Sequence, residues 1–170
     1  MIIWLTGQPA SGKTTLANEI IKELKSSNKG VKIINLDGDD LRSINKNKDY
    51  SKAGRIKNIS TAISIVRFLC NKKYHCVISI VAPYKFLRDE LKNEFPFLEV
   101  YLHTTEIRGR ENFFAKDYEL PTDKNTLDLD KLYNIKFEQI IFFVFFTSLF
   151  NAVGSYFVLS TDVGTGNIFI

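Results

Sequence analysis

A chain of 170 residues suffices for one domain, burying roughly two-thirds of its unfolded surface in a single core, and leaves little room for a second. At 45% hydrophobic, 25% charged and 13% aromatic, it excludes the disordered, collagen-like and disulfide-scaffold classes. The net charge of +4 is unevenly spread: all 23 Lys and Arg and 17 of the 19 acids lie at or before Lys136, leaving only Glu138 and Asp162 beyond. That basic body suits anionic ligands such as nucleotides. The cations are scattered, make no run that would track a nucleic-acid backbone, and read singly as solvated surface.

The predicted elements alternate. Ile2 to Leu5 is a short apolar run ended by Thr6 and Gly7, and from Lys13 the residues Leu16, Ile20, Ile21 and Leu24 recur at helical spacing. Val31 to Leu36 is a second β-branched run, stopping at the acidic cluster Asp37-Gly38-Asp39-Asp40. A helix with Ile56, Ile59, Ile63, Val66 and Leu69 on one face runs from an N-cap near Ser51 to about Asn71. Val77 to Val81 reads as a buried strand closed by Pro83. Phe86 to Glu94 reads as a helix, Leu98 to Leu102 as a fourth strand, and Thr104 as the cap of a short helix towards Arg110. Such alternation implies a parallel sheet covered on both faces, with ligands at the carboxyl ends of its strands.

From Glu111 to Asn134 the periodicity is lost, and the polar stretch around 110–125 reads as a lid. Between Glu138 and Asp162 lie 23 uncharged residues, including Ile140 to Phe146, long enough to span a bilayer. A buried strand followed by a core helix is the competing account, and Asn151, Gly154 and Ser155 favour interruption over one clean span. Residues 1–136 are therefore expected to form the functional domain and 137–170 an apolar tail from which no function is derived, with no membrane partner expected. Cys70 and Cys76 have no Cys or His at metal-ligand spacing and read as reduced thiols. With an apolar start too short and too glycine-rich for a secretory signal, this points to the cytoplasm. His75 and His103 lack ligand spacing too and read as structural.

The strongest signal is Gly7-Gln8-Pro9-Ala10-Ser11-Gly12-Lys13-Thr14, a G-x-x-x-x-G-K-[ST] phosphate-binding loop between a predicted strand and a predicted helix. The chemistry needs this order: glycines let backbone N–H groups converge on phosphate oxygens, the helix start adds positive potential, Lys13 reaches the outer phosphates, and the Thr14 hydroxyl suits Mg²⁺. The fold expected is an α/β, P-loop NTPase-like, doubly wound sheet with helices on both faces. Such a loop does not separate kinase from switch GTPase. The Asp-Gly-Asp-Asp cluster does, because after the second strand its carboxylates can reach Mg²⁺ or take a proton from an attacking hydroxyl. Asp37 and Asp39, two apart on a stretch read as extended, are expected to face one way. No guanine-reading Asn-Lys-x-Asp stands at a strand end.

Trp4-Leu5-Thr6-Gly7 running into Ser11-Gly12-Lys13-Thr14-Thr15-Leu16-Ala17, then Leu36-Asp37-Gly38-Asp39 with Arg42, then Ala82-Pro83-Tyr84-Lys85 after a strand, together resemble the adenylyl-sulfate (APS) kinases. The resemblance runs from about Ile2 to about Leu132. It implies transfer of the γ-phosphate of ATP to a ribose 3′-hydroxyl, with ATP and Mg²⁺ as cofactors, a nucleotide as acceptor and a homodimer as a candidate assembly. It further implies that Gly7, Ala10, Ser11, Gly12, Lys13, Thr14 and Thr15 hold ATP, and that Thr14 and Asp39 face the metal. The Asp37/Asp39 pair and Lys13 would serve catalysis, while Arg42, Arg55, Asn58, Pro83, Tyr84, Lys85 and Lys116 would bind the acceptor.

The chain also departs from the family. The lid reads Arg110-Glu111-Asn112-Phe113-Phe114 in place of Lys-Gly-Leu-Tyr. Where the family has Phe-Ser-x-x-Asp-Arg-x-Glu-Asn, this sequence has Tyr50-Ser51-Lys52-Ala53-Gly54-Arg55-Ile56-Lys57-Asn58, so an Asp has become Gly54 and a Glu has become Lys57. That charge change bears on acceptor choice. The sequence is similar as well to a related branch, cytidine diphosphoramidate kinase of capsule phosphoramidate synthesis, whose acceptor is a cytidine 5′-anhydride.

Overall fold

The computed structural model describes residues 1–103 and 109–121, with three short strand segments at 126–128, 160–161 and 168–169. In chain order the elements are β1 (Ile2–Thr6), α1 (Lys13–Ser27), β2 (Ile33–Asp37), α2 (Gly38–Ile44), α3 (Lys52–Asn71), β3 (His75–Ser79), α4 (Lys85–Asp89), β4 (Phe97–His103), a 3₁₀ turn (Glu111–Phe113), β5 (Thr126–Asp128), β6 (Ser160–Thr161) and β7 (Ile168–Phe169). Five strands pair in parallel in the order β2-β3-β1-β4-β5.

All five residues of β1 are buried because helices cover both faces of the sheet. Strand alternation divides its side chains: Ile2 and Trp4 join Ile59, Ile63 and Val66 of α3 on one face, and Ile3 and Leu5 join Leu16, Ile20 and Leu24 of α1 on the other. The chain steps from the β2/β3 side of β1 to its β4 side, so the crevice for a ligand opens above the carboxyl end of β1.

Several expectations shift. The second strand begins at Ile33 and runs through Asp37. The helix read over Phe86 to Glu94 is α4 only to Asp89, followed by turns. The stretch holding Asp37 and Asp39 is not extended throughout. Asp37 closes β2 and caps α2, its carboxylate accepting the Asp39 N–H at 2.8 Å, so Asp39 stands in the first helical turn. The span read as structureless contributes a fifth strand, β5, beside β4. The short helix expected after Thr104 and the apolar run Ile140 to Phe146 lie outside the described residues, as does most of the tail, where β6 and β7 pair antiparallel. Among the described residues no helix is long and apolar enough to cross a membrane.

Candidate active site

The loop after β1 folds as its glycines require. Gly7 has φ +145°, and a Cβ there would stand 2.3 Å from the Leu102 carbonyl oxygen at the end of β4. Gly12 (φ 86°) is the left-handed residue that starts α1, and Ala10 (φ 63°) takes the same region without glycine's freedom, a local strain of the kind found at ligand sites. Lys13 is buried at 7% exposure. Its ammonium donates to Gly7 O at 3.1 Å, Gln8 O at 2.7 Å and Ser11 Oγ at 3.2 Å. Burial lowers its pKa from 10.5 to about 8, against the opposing pull of Asp37 and then Asp39.

Asp37 is the hub beside the loop. Its Oδ2 accepts from the Thr14 hydroxyl at 2.7 Å and from the Ser79 hydroxyl at 3.0 Å, tying α1, β2 and β3 together. A hydroxyl and a carboxylate meeting at the mouth of an anion-binding loop are the hard oxygen donors Mg²⁺ takes alongside phosphate oxygens and water, so these residues fit that ion. The partner found on Thr14 is thus Asp37, whereas the sequence reading set Asp39 beside it. Asp39 is exposed one helical step beyond.

One cleft of about 310 Å³ brings the two halves together. Its walls include Lys13, Thr14, Asp37 and Asp39 on one side and Arg42, Tyr50, Arg55, Asn58, Arg110 and Phe113 on the other. Ala10, Ser11, Gly12 and Thr15 line it too. Arg42 reaches Asp49 O at 2.8 Å and Asn47 O at 3.3 Å, and stacks over the Tyr50 ring at 4.1 Å. Arg55, buried in α3, donates from Nε to Tyr50 O at 2.9 Å and from Nη2 to Phe113 O at 2.7 Å. Burial, then Arg42, push its pKa below the usual arginine value. Asn58, one of the residues lining the cleft, has its Oδ1 buried without a protein partner.

The structure does not bring five expected residues to these walls, Gly7 among them, which packs against the Leu102 oxygen. Pro83 and Tyr84 are buried, Lys85 pairs with Asp89, and Lys116 is exposed away from the cleft. For 83–85 the reason is that this segment anchors the 110–121 segment: Pro83 O accepts the Glu119 N–H at 2.8 Å, and the Lys85 N–H donates to Glu119 Oε2 at 2.6 Å. Arg88, fully buried, completes the anchor by bonding Glu99 (2.6 Å), Ala82 O (2.7 Å) and Glu119 O (2.7 Å). Sequence reading missed Tyr50, Ser79, Arg88 and the contact of the Tyr50 and Phe113 rings at 4.7 Å. The strand expected over Val77 to Val81 set Ser79 in its middle, whereas β3 ends there. The ring contact joins segments far apart in sequence and left no local signal.

Loop, cradle and sheet order define a nucleotide-binding protein of the P-loop class. Residues 1–117 match the family model for adenylylsulphate kinase, and the chain belongs to that family. It is 35% identical over 103 residues to a probable adenylyl-sulfate kinase of Pyrococcus abyssi, covering 59% of this chain and 58% of that one. To a cytidine diphosphoramidate kinase of Campylobacter jejuni it is 31% identical over 120 residues, covering 68% and 69%. Several curated adenylyl-sulfate kinases are matched over only 47% to 64% of their own length. The fold is shared with the Mycobacterium tuberculosis APS kinase CysC solved in complex with AMPPNP and APS, at TM-score 0.67 and 22% identity, over 86% of this chain and 95% of that one.

Proposed function

We propose that this chain is an ATP-dependent kinase that transfers the γ-phosphoryl group to the ribose 3′-hydroxyl of a nucleoside 5′-phosphoanhydride, as adenylyl-sulfate kinases do. The observation that carries this reading is the convergence of Lys13, Thr14 and Asp37 with Arg42, Arg55 and Asn58 on one cleft. ATP would lie along Gly7 to Thr15, with Lys13 on its outer phosphates. Thr14 and Asp37 would hold Mg²⁺, which when bound neutralises phosphate charge. With Asp37 engaged by Thr14, Ser79 and the Asp39 amide, Asp39 is the carboxylate left to take the 3′-hydroxyl proton. The new bond joins the 3′-oxygen to the γ-phosphorus, the bond to the bridging oxygen breaks, and ADP leaves. Arg42, Arg55 and Arg110 supply positive charge for the anhydride end of the acceptor, and Tyr50 and Phe113 offer ring faces for its base. Lid residues 110–121 limit water at the reacting centre.

A second acceptor is favoured by a specific observation. Gly54 and Lys57 stand where the family pattern has acids, and the cytidine diphosphoramidate kinase is among the relatives. Side-by-side ADP-release assays against adenylyl sulfate and cytidine 5′-diphosphoramidate decide between them. Turnover with neither, while a sugar or shikimate-like acceptor is phosphorylated, would overturn the nucleotide reading.

A further inference from the structure

One side chain of the phosphate loop is committed away from the cleft. Gln8 Nε2 donates to Ala115 O at 2.9 Å, and Gln8 Oε1 accepts the Ala115 N–H at 3.1 Å, a two-bond pairing between the loop and the lid segment. The pairing turns the Gln8 carboxamide to the 110–121 segment, and Gln8 is not among the residues that line the cleft. The main-chain oxygen of the same residue accepts from Lys13 Nζ at 2.7 Å. Two residues before Ala115, the Phe113 oxygen accepts from Arg55 Nη2 at 2.7 Å. A continuous series of polar contacts and two short stretches of backbone thus joins Lys13 to Arg55.

The series has a reason to move. A lysine ammonium has three donors, and those of Lys13 face three protein oxygens, Gly7 O, Gln8 O and Ser11 Oγ. Turning the donor on Gly7 O or Gln8 O onto a phosphate releases that oxygen and lets the 7–8 backbone adjust. Because Gln8 is held at both its main-chain oxygen and its carboxamide, such an adjustment is passed to Ala115.

We propose that Gln8 is a positioning residue that couples phosphate binding at Lys13 to the placement of Arg55 on the acceptor side, through Ala115 and Phe113. This rests on the reading that nucleotide phosphates bind at the loop. Glutamine suits the task chemically: methionine matches its length and makes neither bond, and glutamate keeps the acceptor for the Ala115 N–H but loses the donor.

The test is hydrogen–deuterium exchange of a peptide covering 110–121 in the full chain, with and without Mg·AMPPNP, alongside calorimetry of AMPPNP binding. In the wild type the nucleotide is expected to slow exchange there by about tenfold. In Gln8→Met, exchange is expected to be faster at the outset and unmoved by nucleotide that still binds. Gln8→Glu is expected to fall between, and it carries the test should Gln8→Met fail to fold. A Gln8→Met lid that responds like the wild type overturns the proposal, as does a wild-type lid that ignores bound nucleotide or a Gln8→Met protein that folds but binds none. A wild type that binds no nucleotide overturns both the coupling and the functional reading beneath it.

Discussion

At the residue scale, two carboxylates that look alike in the sequence have different work. Asp37 is fixed by two hydroxyls and one amide, and Asp39 is exposed at the start of a helix. Asp37→Asn keeps an oxygen for the Asp39 N–H, so the helix cap survives, but it removes the charge beside Thr14. Stability is expected to change by less than about 1 kcal/mol and turnover to fall by about two orders of magnitude; unfolding in urea and steady-state kinetics on one preparation separate the two. Asp39→Asn and Lys13→Ala are each expected to cost about a hundredfold or more in turnover, and near-normal rates would refute their assigned roles.

Lys13 also makes a prediction about protons. Its folded pKa of about 8 lies below the unfolded 10.5, so between those values the unfolded chain holds a proton that the folded chain lacks, and this residue's contribution to stability rises with pH across that window. Phosphates beside the ammonium favour its charged form. Binding of AMPPNP at pH 8.5 is therefore expected to take up protons, and titrations in buffers of different ionisation enthalpy measure the uptake. Equal uptake by Lys13→Ala would assign it to another group.

At the element scale, the phosphate-loop half of the cleft was legible and the opposite half only in part. The phosphate loop is a contiguous spacing between one strand and one helix, so local pattern carried it. The start of α2 was written in the sequence as an Asp cap followed by Asp39, Asp40 and Leu41, but an acidic cluster after a strand reads equally as a turn, and capping decided the matter. Tyr84 and Lys85 illustrate the opposite failure. A motif fixed their neighbourhood, while the 110–121 segment, through Glu119, determines which way it is used.

Two element-scale consequences can be measured. Arg88 joins β4, the segment after β3 and the 110–121 segment from a fully buried position. Arg88→Met is expected to destabilise by about 3 kcal/mol, the low end for a broken buried pair, because Lys92 still faces Glu99 at 2.7 Å; an unchanged urea midpoint would remove its anchoring role. Gly54 lies under Asp49, where a Cβ would stand 2.3 Å from the Asp49 carbonyl oxygen. Gly54→Ala must push the 47–50 loop outward at a cost of about 1–3 kcal/mol. It is expected to raise KM for the acceptor more than KM for ATP, since Arg42 is held by that same loop.

At the scale of the whole molecule, strand-helix alternation made the parallel sheet readable, and the two-sided core followed from near-continuous apolar strands. The fifth strand escaped notice because three residues, Thr126 to Asp128, carry too little periodicity to stand out, and their pairing with β4 is a tertiary decision. We propose that residues 1–136 hold the whole catalytic apparatus. A chain ending at Lys136 is expected to bind AMPPNP within about threefold of the full chain, an affinity change of less than about 1 kcal/mol, and loss of binding by calorimetry in a folded truncation would place part of the apparatus beyond it.

The wedge of Gly7 against the Leu102 oxygen leaves the phosphate-loop turn no slack, since the sheet itself is its backstop. The opposite wall leans on side chains instead of the sheet: Tyr50 and Asp49 ride on an exposed connection that arginines brace from the inside. Retargeting the proposed site to a new acceptor is therefore an operation on its periphery, on the exposed side chains among residues 45–50, while Gly54 beneath them and the phosphate loop stay as they are.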